Sequence, residues 1–168
     1  GAAEGGHAHI VQLMLDKGAD GTYGLVAAAE YGHTHIVQML LQKGIEPTDG
    51  DLAEAAGNGH ADIVRILLDK GVDPNAGIDV AAQSGHYGIV QLLLDKGADA
   101  DLGLDSAAYC GHLLIVQLLL DKGADPNLGI ASAAFRGYAD IVQLLLSKGA
   151  DATEAFRAAA EGRLKDIM

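Results

Sequence analysis

The sequence predicts an all-α protein built as a solenoid, and a repeat along the whole chain is the first reason. The dipeptide Lys-Gly occurs six times, at separations of 26, 27, 26, 26 and 26 residues. A second glycine series repeats at the same separations and consists of Gly6, Gly32, Gly59, Gly85, Gly111 and Gly137. Self-similarity at a fixed period of this size is typical of solenoids, in which each repeat is a small unit stacked on the next.

The second reason is the helical spacing of apolar residues within each repeat. Leu104, Ala107 and Ala108 lie at i, i+3 and i+4, which is one face of a helix about two turns long. We expect Gly111 to end this first helix. The apolar residues that follow predict a second helix over 112–122.

The residues between helices are of types that favour turns. Gly123 is expected to close the second helix in a left-handed conformation. No segment shows strand alternation, and one helix pair cannot bury both of its apolar faces, so neighbouring pairs must stack. We therefore predict a single solenoid over 1–168, made of a partial unit 1–18, the units 19–44, 45–71, 72–97, 98–123 and 124–149, and a partial unit 150–168.

Composition and charge exclude several classes of partner and of protein. The chain has 23 acidic and 11 basic side chains and a net charge of −12, which argues against nucleic acid or an anionic membrane as a partner. One cysteine, Cys110, excludes a disulfide framework and a Cys-rich zinc site. No apolar run approaches the ~20 residues of a membrane span. With no secretory leader visible, we expect a cytoplasmic protein.

Three short motifs recur in every complete unit, and in one unit they read Ala107-Ala108-x-x-Gly111-His112, then Ile115-Val116-x-Leu118-Leu119-Leu120, then Gly123-Ala124-Asp125. A unit built in this way resembles the ankyrin-repeat family, whose units have about 33 residues. The units here are shorter, and the missing residues fall where the family carries its β-hairpin and its Thr-Pro-Leu-His turn. The resemblance implies a solenoid of helix-turn-helix units with that hairpin trimmed to a tight turn, where Gly77-Ile78 and Gly103-Leu104 stand in place of Thr-Pro.

The two ends of the chain fall inside units. Gly1-Ala2-Ala3 is expected to begin within a first helix. At the other end, Arg163 replaces the recurrent histidine and Asp166 replaces a buried isoleucine, so 150–168 could be a capping unit. We interpret the chain as a window of a longer solenoid.

Positions that differ from unit to unit are the candidate binding residues, because residues held by stacking should recur. They lie on the exposed side of the first helix and at the start of the second. The selected residues, called the variable strip below, are Tyr31, Asp79, Gln83, Tyr87, Asp105, Tyr109, Leu113, Phe135 and Arg136. The family resemblance implies that the first-helix side is the concave surface that binds partners.

Four members of the variable strip are apolar or aromatic: Tyr87, Tyr109, Leu113 and Phe135. They come from three consecutive units that are expected to lie ~10 Å apart, so they could form one exposed patch suited to a protein interface. The alternative is that some of them pack against a neighbouring helix as additional core.

Recurrent aspartates and histidines are predicted to be structural. The aspartates fall in turns, where they cap and maintain solubility; an acidic edge for a basic partner or for Ca²⁺ is the alternative, and no EF-hand pattern supports it. A zinc site needs ligands about 2.0–2.1 Å from the ion, and histidines in units ~10 Å apart do not converge that closely. Each histidine is instead expected to cap its helix or to bond a neighbouring turn, and no metal is predicted.

No catalytic motif is present, and the glycines are interpreted as breaks between helices rather than as a phosphate cradle. We therefore predict a non-enzymatic scaffold that needs no cofactor and binds another protein, one that could present a basic surface. One alternative is a structural element that stacks end to end instead of staying monomeric. Another is the targeting arm of an enzyme whose catalytic domain lies outside this window.

Overall fold

The computed structural model describes residues 1–165, and within that range it contains twelve helices and no strand. The helices are α1 (Ala8–Asp16), α2 (Thr22–Glu30), α3 (Thr34–Gln42), α4 (Asp49–Gly57), α5 (Ala61–Asp69), α6 (Asn75–Gln83), α7 (Tyr87–Asp95), α8 (Asp101–Cys110), α9 (Leu113–Asp121), α10 (Asn127–Arg136), α11 (Ala139–Ser147) and α12 (Ala152–Lys165). Even-numbered helices are the first helices of the repeats and odd-numbered helices are the second. The prediction of an all-α solenoid is confirmed.

The helix boundaries follow the predicted glycine signals. Gly111 has φ +82° and ends α8, and Gly123 has φ +99° after α9. Left-handed φ is nearly free of strain for glycine, so each chain reversal is set by the residue type. Residues 1–6 differ from expectation: they form hydrogen-bonded turns and not an α-helix.

One continuous core runs through the stack. In the central repeat the side chains of Leu104, Ala107, Ala108 and Leu119 are fully buried, and the equivalent residues of neighbouring repeats are buried as well. Each apolar face predicted from helical spacing is therefore covered by the paired helix and by the next repeat.

A column of glycines inside the first helices controls how closely neighbouring repeats approach. A Cβ added to Gly103 would lie 3.2 Å from Ala82 Cβ and 3.4 Å from the carbonyl oxygen of Ile78; Gly77 and Gly129 are similarly crowded. Interpreting these glycines as breaks between helices was wrong, because they lie within α6, α8 and α10. Neighbouring first helices contact each other more extensively than neighbouring second helices.

Lysine–aspartate ion pairs join the second helices of successive repeats. Their Nζ–Oδ1 distances are 3.2, 3.1, 2.9 and 3.1 Å for Lys43–Asp16, Lys96–Asp69, Lys122–Asp95 and Lys148–Asp121. The hydrogen bond from Lys148 lowers the pKa of Asp121 below its ordinary value. Because the folded-state pKa is depressed, this stabilisation is present above the unfolded pKa and is lost as pH falls through the folded one.

The series of ion pairs has a gap between α3 and α5. Gln42 stands in the column that holds Asp16, Asp69, Asp95 and Asp121 in other repeats, and Lys70 has no ion-pair partner among the described residues. Gln42→Asp is expected to form the missing pair and to raise the thermal unfolding midpoint slightly at low salt, measured by circular dichroism. The increase should vanish near 1 M NaCl, where the Debye length is about 3 Å. An equal increase in the double variant Gln42→Asp, Lys70→Met would contradict this explanation.

The last described helix departs from the repeat. Phe156 follows Ile130 by 26 residues, yet it is 79% exposed, whereas Ala155 and Ala158 are buried. Asp166 and the side chain of Arg163, on which the prediction of a capping unit depends, lie outside the described part of the structure.

Candidate functional site

The variable strip is largely exposed, and it follows the first helices and the turns after them. Tyr31, Tyr87, Tyr109 and Leu113 have 49%, 43%, 44% and 39% of their surface exposed. The strip's polar members Asp79, Gln83, Asp105 and Arg136 are also exposed. Phe135 is the exception, since it is half-buried and packs against the core, as the alternative interpretation of the patch allowed.

The most compact cluster in the strip surrounds Tyr109. The guanidinium carbon of Arg136 lies 4.9 Å from the centroid of the Tyr109 ring, which is cation–π geometry. A hydrogen bond to the side chain of Tyr138 raises the pKa of Arg136 above its ordinary value, and the nearby Tyr109 acts in the same direction. The two tyrosines thus hold Arg136 between adjacent repeats.

Tyr138 is a site residue that sequence reasoning missed. It occupies the column that holds histidine in the preceding repeats. Its ring packs against Gly111, where an added Cβ would lie only 2.8 Å from Tyr138 Cζ. The departure from histidine was the available signal, because every other complete repeat keeps that residue.

The histidines of this column link the repeats. Four of them place Nε2 at 2.7, 2.9, 3.1 and 3.0 Å from a carbonyl oxygen in the preceding repeat: His33 to Glu4, His60 to Glu30, His86 to Gly57 and His112 to Gln83. Each acceptor belongs to the end of the preceding first helix or its equivalent, where carbonyls have no partner within the helix. The structural role predicted for these histidines is confirmed: of the two roles expected, the structure shows the hydrogen bond to a neighbouring unit.

Two acidic members of the variable strip also bond across repeats. Ser106 Oγ donates to Asp79 Oδ1 at 2.5 Å, and Ser132 Oγ donates to Asp105 Oδ1 at 2.5 Å. A hydroxyl is a neutral donor, so neither bond pairs the carboxylate with a positive charge.

The turn aspartates have the predicted structural role. Asp125 Oδ1 accepts a hydrogen bond from the backbone amide of Asn127 at 2.9 Å. The same bond, from the backbone amide two residues later in the chain, is made to Asp20, Asp73, Asp99 and Asp151. The backbone amide of Thr153 lowers the pKa of Asp151, followed by the Thr153 side chain. Among the described residues, no group of three or more His, Cys, Asp or Glu side chains could hold a metal ion.

Surface depressions lie beside the strip and near the N-terminal end. Depressions of about 280 and 240 Å³ lie at the junctions of adjacent repeats; Leu113 lines both, Tyr138 the first and Tyr87 the second. A groove of about 340 Å³ near the N-terminal end is lined by Val11, Met14 and other residues outside the strip.

The end-to-end stacking of chains that the sequence analysis gave as an alternative stays a prediction. None of the helices within residues 1–165 has the length and apolar character that a bilayer span requires.

Comparison with known families and structures agrees with this architecture. A family model described as ankyrin repeats (3 copies) matches residues 1–78 and 52–130, and one described as ankyrin repeat matches residues 130–155. The crystal structure of the human ASB11 ankyrin repeat domain is similar, with a TM-score of 0.76, 22% identity, and coverage of 89% of this chain and 82% of that one. At this identity the likeness shows the fold alone. No curated protein sequence matches the chain significantly.

Proposed function

Because the chain belongs to the ankyrin-repeat family, whose members are generally protein–protein interaction modules, we propose that it is a non-enzymatic scaffold that binds a partner protein through its first-helix face. We further propose that it acts in the cytoplasm. The observation that carries the proposal is the surface cluster of Tyr109, Arg136 and Tyr138 on that face.

Such a cluster has the properties of a binding hot spot. Tyrosine and arginine are the residue types enriched at the energetic centres of interfaces. Their conformations are already restricted here, since Arg136 packs on one tyrosine and bonds the other. A partner would therefore bind them at a smaller cost in side-chain entropy than it would bind free surface residues.

The proposal is tested by affinity capture from a lysate of the source cells, with the parent chain and two double variants as baits. Tyr109→Ala, Arg136→Ala is expected to lose a protein that the parent holds, by about tenfold or more in bound fraction. The control Leu13→Ala, Leu146→Ala removes exposed apolar side chains, 54% and 38% exposed, from second helices outside the strip and should hold that protein as the parent does. Equal retention of every captured protein by all three baits would reject the proposed face.

A further inference from the structure

The charge of the protein is distributed unevenly between its two sides. The first helices α2 to α10 carry six exposed carboxylates, Glu30, Asp49, Glu54, Asp79, Asp101 and Asp105, and one cation, Arg136. Within the described residues, the second helices and the lysines that cap them carry six carboxylates and seven cations, six capping lysines and Arg65. The outer side is therefore close to neutral, and the first-helix side is negative.

Ion pairing sharpens this difference. On the second helices, five of the six carboxylates have a Lys or Arg partner; they are Asp16, Asp62, Asp69, Asp95 and Asp121. None of the six exposed carboxylates on α2 to α10 forms an ion pair in the described part of the chain. Asp79 and Asp105 instead accept hydrogen bonds from serine hydroxyls, which hold the carboxylates in place without neutralising them.

The negative potential on the first-helix side also affects a neighbouring titratable group. The charges of Glu30 and Glu4 raise the pKa of Tyr31 above its ordinary value. On α10 of this face, Arg136 places a positive charge beside Tyr109. From α2 to α10 the face therefore has carboxylates over α2 to α8 and a single cation on α10, and it continues into α12 with the Glu154–Arg157 pair and the exposed Glu161.

We propose that the first-helix face binds a partner segment that carries Lys or Arg side chains, with cations against Asp79 and Asp105 and an apolar side chain beside Tyr109. This inference rests on the proposed function and specifies the chemistry of the partner. Three features of the face select that occupant: it has no helix packed over it in the described structure, its carboxylates lack counter-ions, and aromatic surface adjoins them at one end. Complementary charge would also speed the encounter and fix the direction of the bound segment.

The test uses a labelled dodecapeptide with lysine at every third position and serine or glycine elsewhere, together with the same peptide with glutamate in place of each lysine. Binding to the 168-residue chain is measured by fluorescence anisotropy at low salt. Two variants lower the negative charge equally: Glu54→Gln, Asp105→Asn on the first helices and Asp69→Asn, Asp95→Asn at the C-terminal ends of second helices, away from the strip. The amide introduced by Asp105→Asn keeps an oxygen that can accept the Ser132 hydroxyl bond, so the local fold is preserved.

The lysine peptide is expected to bind, and the glutamate peptide is not. The first-helix variant should weaken lysine-peptide binding about fivefold, the combined effect of two exposed ion pairs, whereas the second-helix variant should change it less than about twofold. Equal weakening by both charge variants, or no binding of the lysine peptide, would overturn the inference. Capture that depends on Tyr109 and Arg136 but is unaffected by the charge variants would leave the proposed function standing and reject only this partner chemistry.

Discussion

Replacing Leu104 by alanine is expected to lower the free energy of unfolding by about 2–5 kcal/mol, the usual range for deleting a buried leucine side chain. Leu104 is fully buried in α8, where its side chain contacts its own repeat and lies close to Gly129 of the next. The cavity would thus lie at a junction between repeats, where the chain can relax least. Urea unfolding followed by circular dichroism measures the loss.

Leu114→Ala is the matched control for this experiment. Leu114 lies in the adjacent helix α9 and is 73% exposed, so the same chemical change removes almost no buried contact. Its effect should stay within about 0.5 kcal/mol. Similar losses in the two variants would show that Leu104 does not occupy the core position assigned to it.

Gly129→Leu is expected to destabilise the protein by about 1–3 kcal/mol or more, although leucine is the better helix former. An added Cβ would lie 3.0 Å from Ala108 Cβ and 3.3 Å from the backbone oxygen of Leu104, and the longer side chain would crowd them further. Since backbone atoms cannot move aside as a flexible side chain can, α10 would have to separate from α8.

The control for Gly129 is a helical glycine in open space. Gly88 in α7 has no neighbouring atom within 4 Å of an added Cβ, so Gly88→Leu should be neutral or stabilising by up to about 1 kcal/mol. Thermal and urea unfolding of the two variants should therefore give effects of opposite sign. Equal destabilisation by both would contradict the account of close packing between first helices.

The fold could be predicted from the sequence because the same glycine spacing and the same apolar pattern recur in each repeat. The glycine spacing and the apolar periodicity predicted a second helix over 112–122, and the structure has Leu113–Asp121 with His112 and Lys122 as its caps. The glycine column of Gly77, Gly103 and Gly129 was misinterpreted. Local sequence rules favour a break at glycine, and only the packing of the neighbouring repeat explains why these positions are helical.

The candidate site was only partly predictable. Comparing the repeats with one another selected Tyr109 and Arg136, but it could not show that they contact each other or that Tyr138 completes the cluster. Those contacts depend on side-chain directions across a repeat boundary. The bonds of Ser106 and Ser132 to aspartates 27 residues earlier have the same origin. The sequence shows the net charge of −12 as a total. That the unpaired negative charge is concentrated on one side of the protein could be seen only from the ion pairs of the folded chain.

The central claim is that a partner binds the first-helix face, and hydroxyl-radical footprinting of the complex tests it most directly. With the captured partner bound, Tyr31, Tyr109 and Tyr138 should be protected from oxidation several-fold. Leu13 and Leu146 on the second helices are both exposed and should react as they do in the free chain. Protection of those leucines with unchanged reactivity at Tyr109 would place the partner on the opposite side and contradict the account.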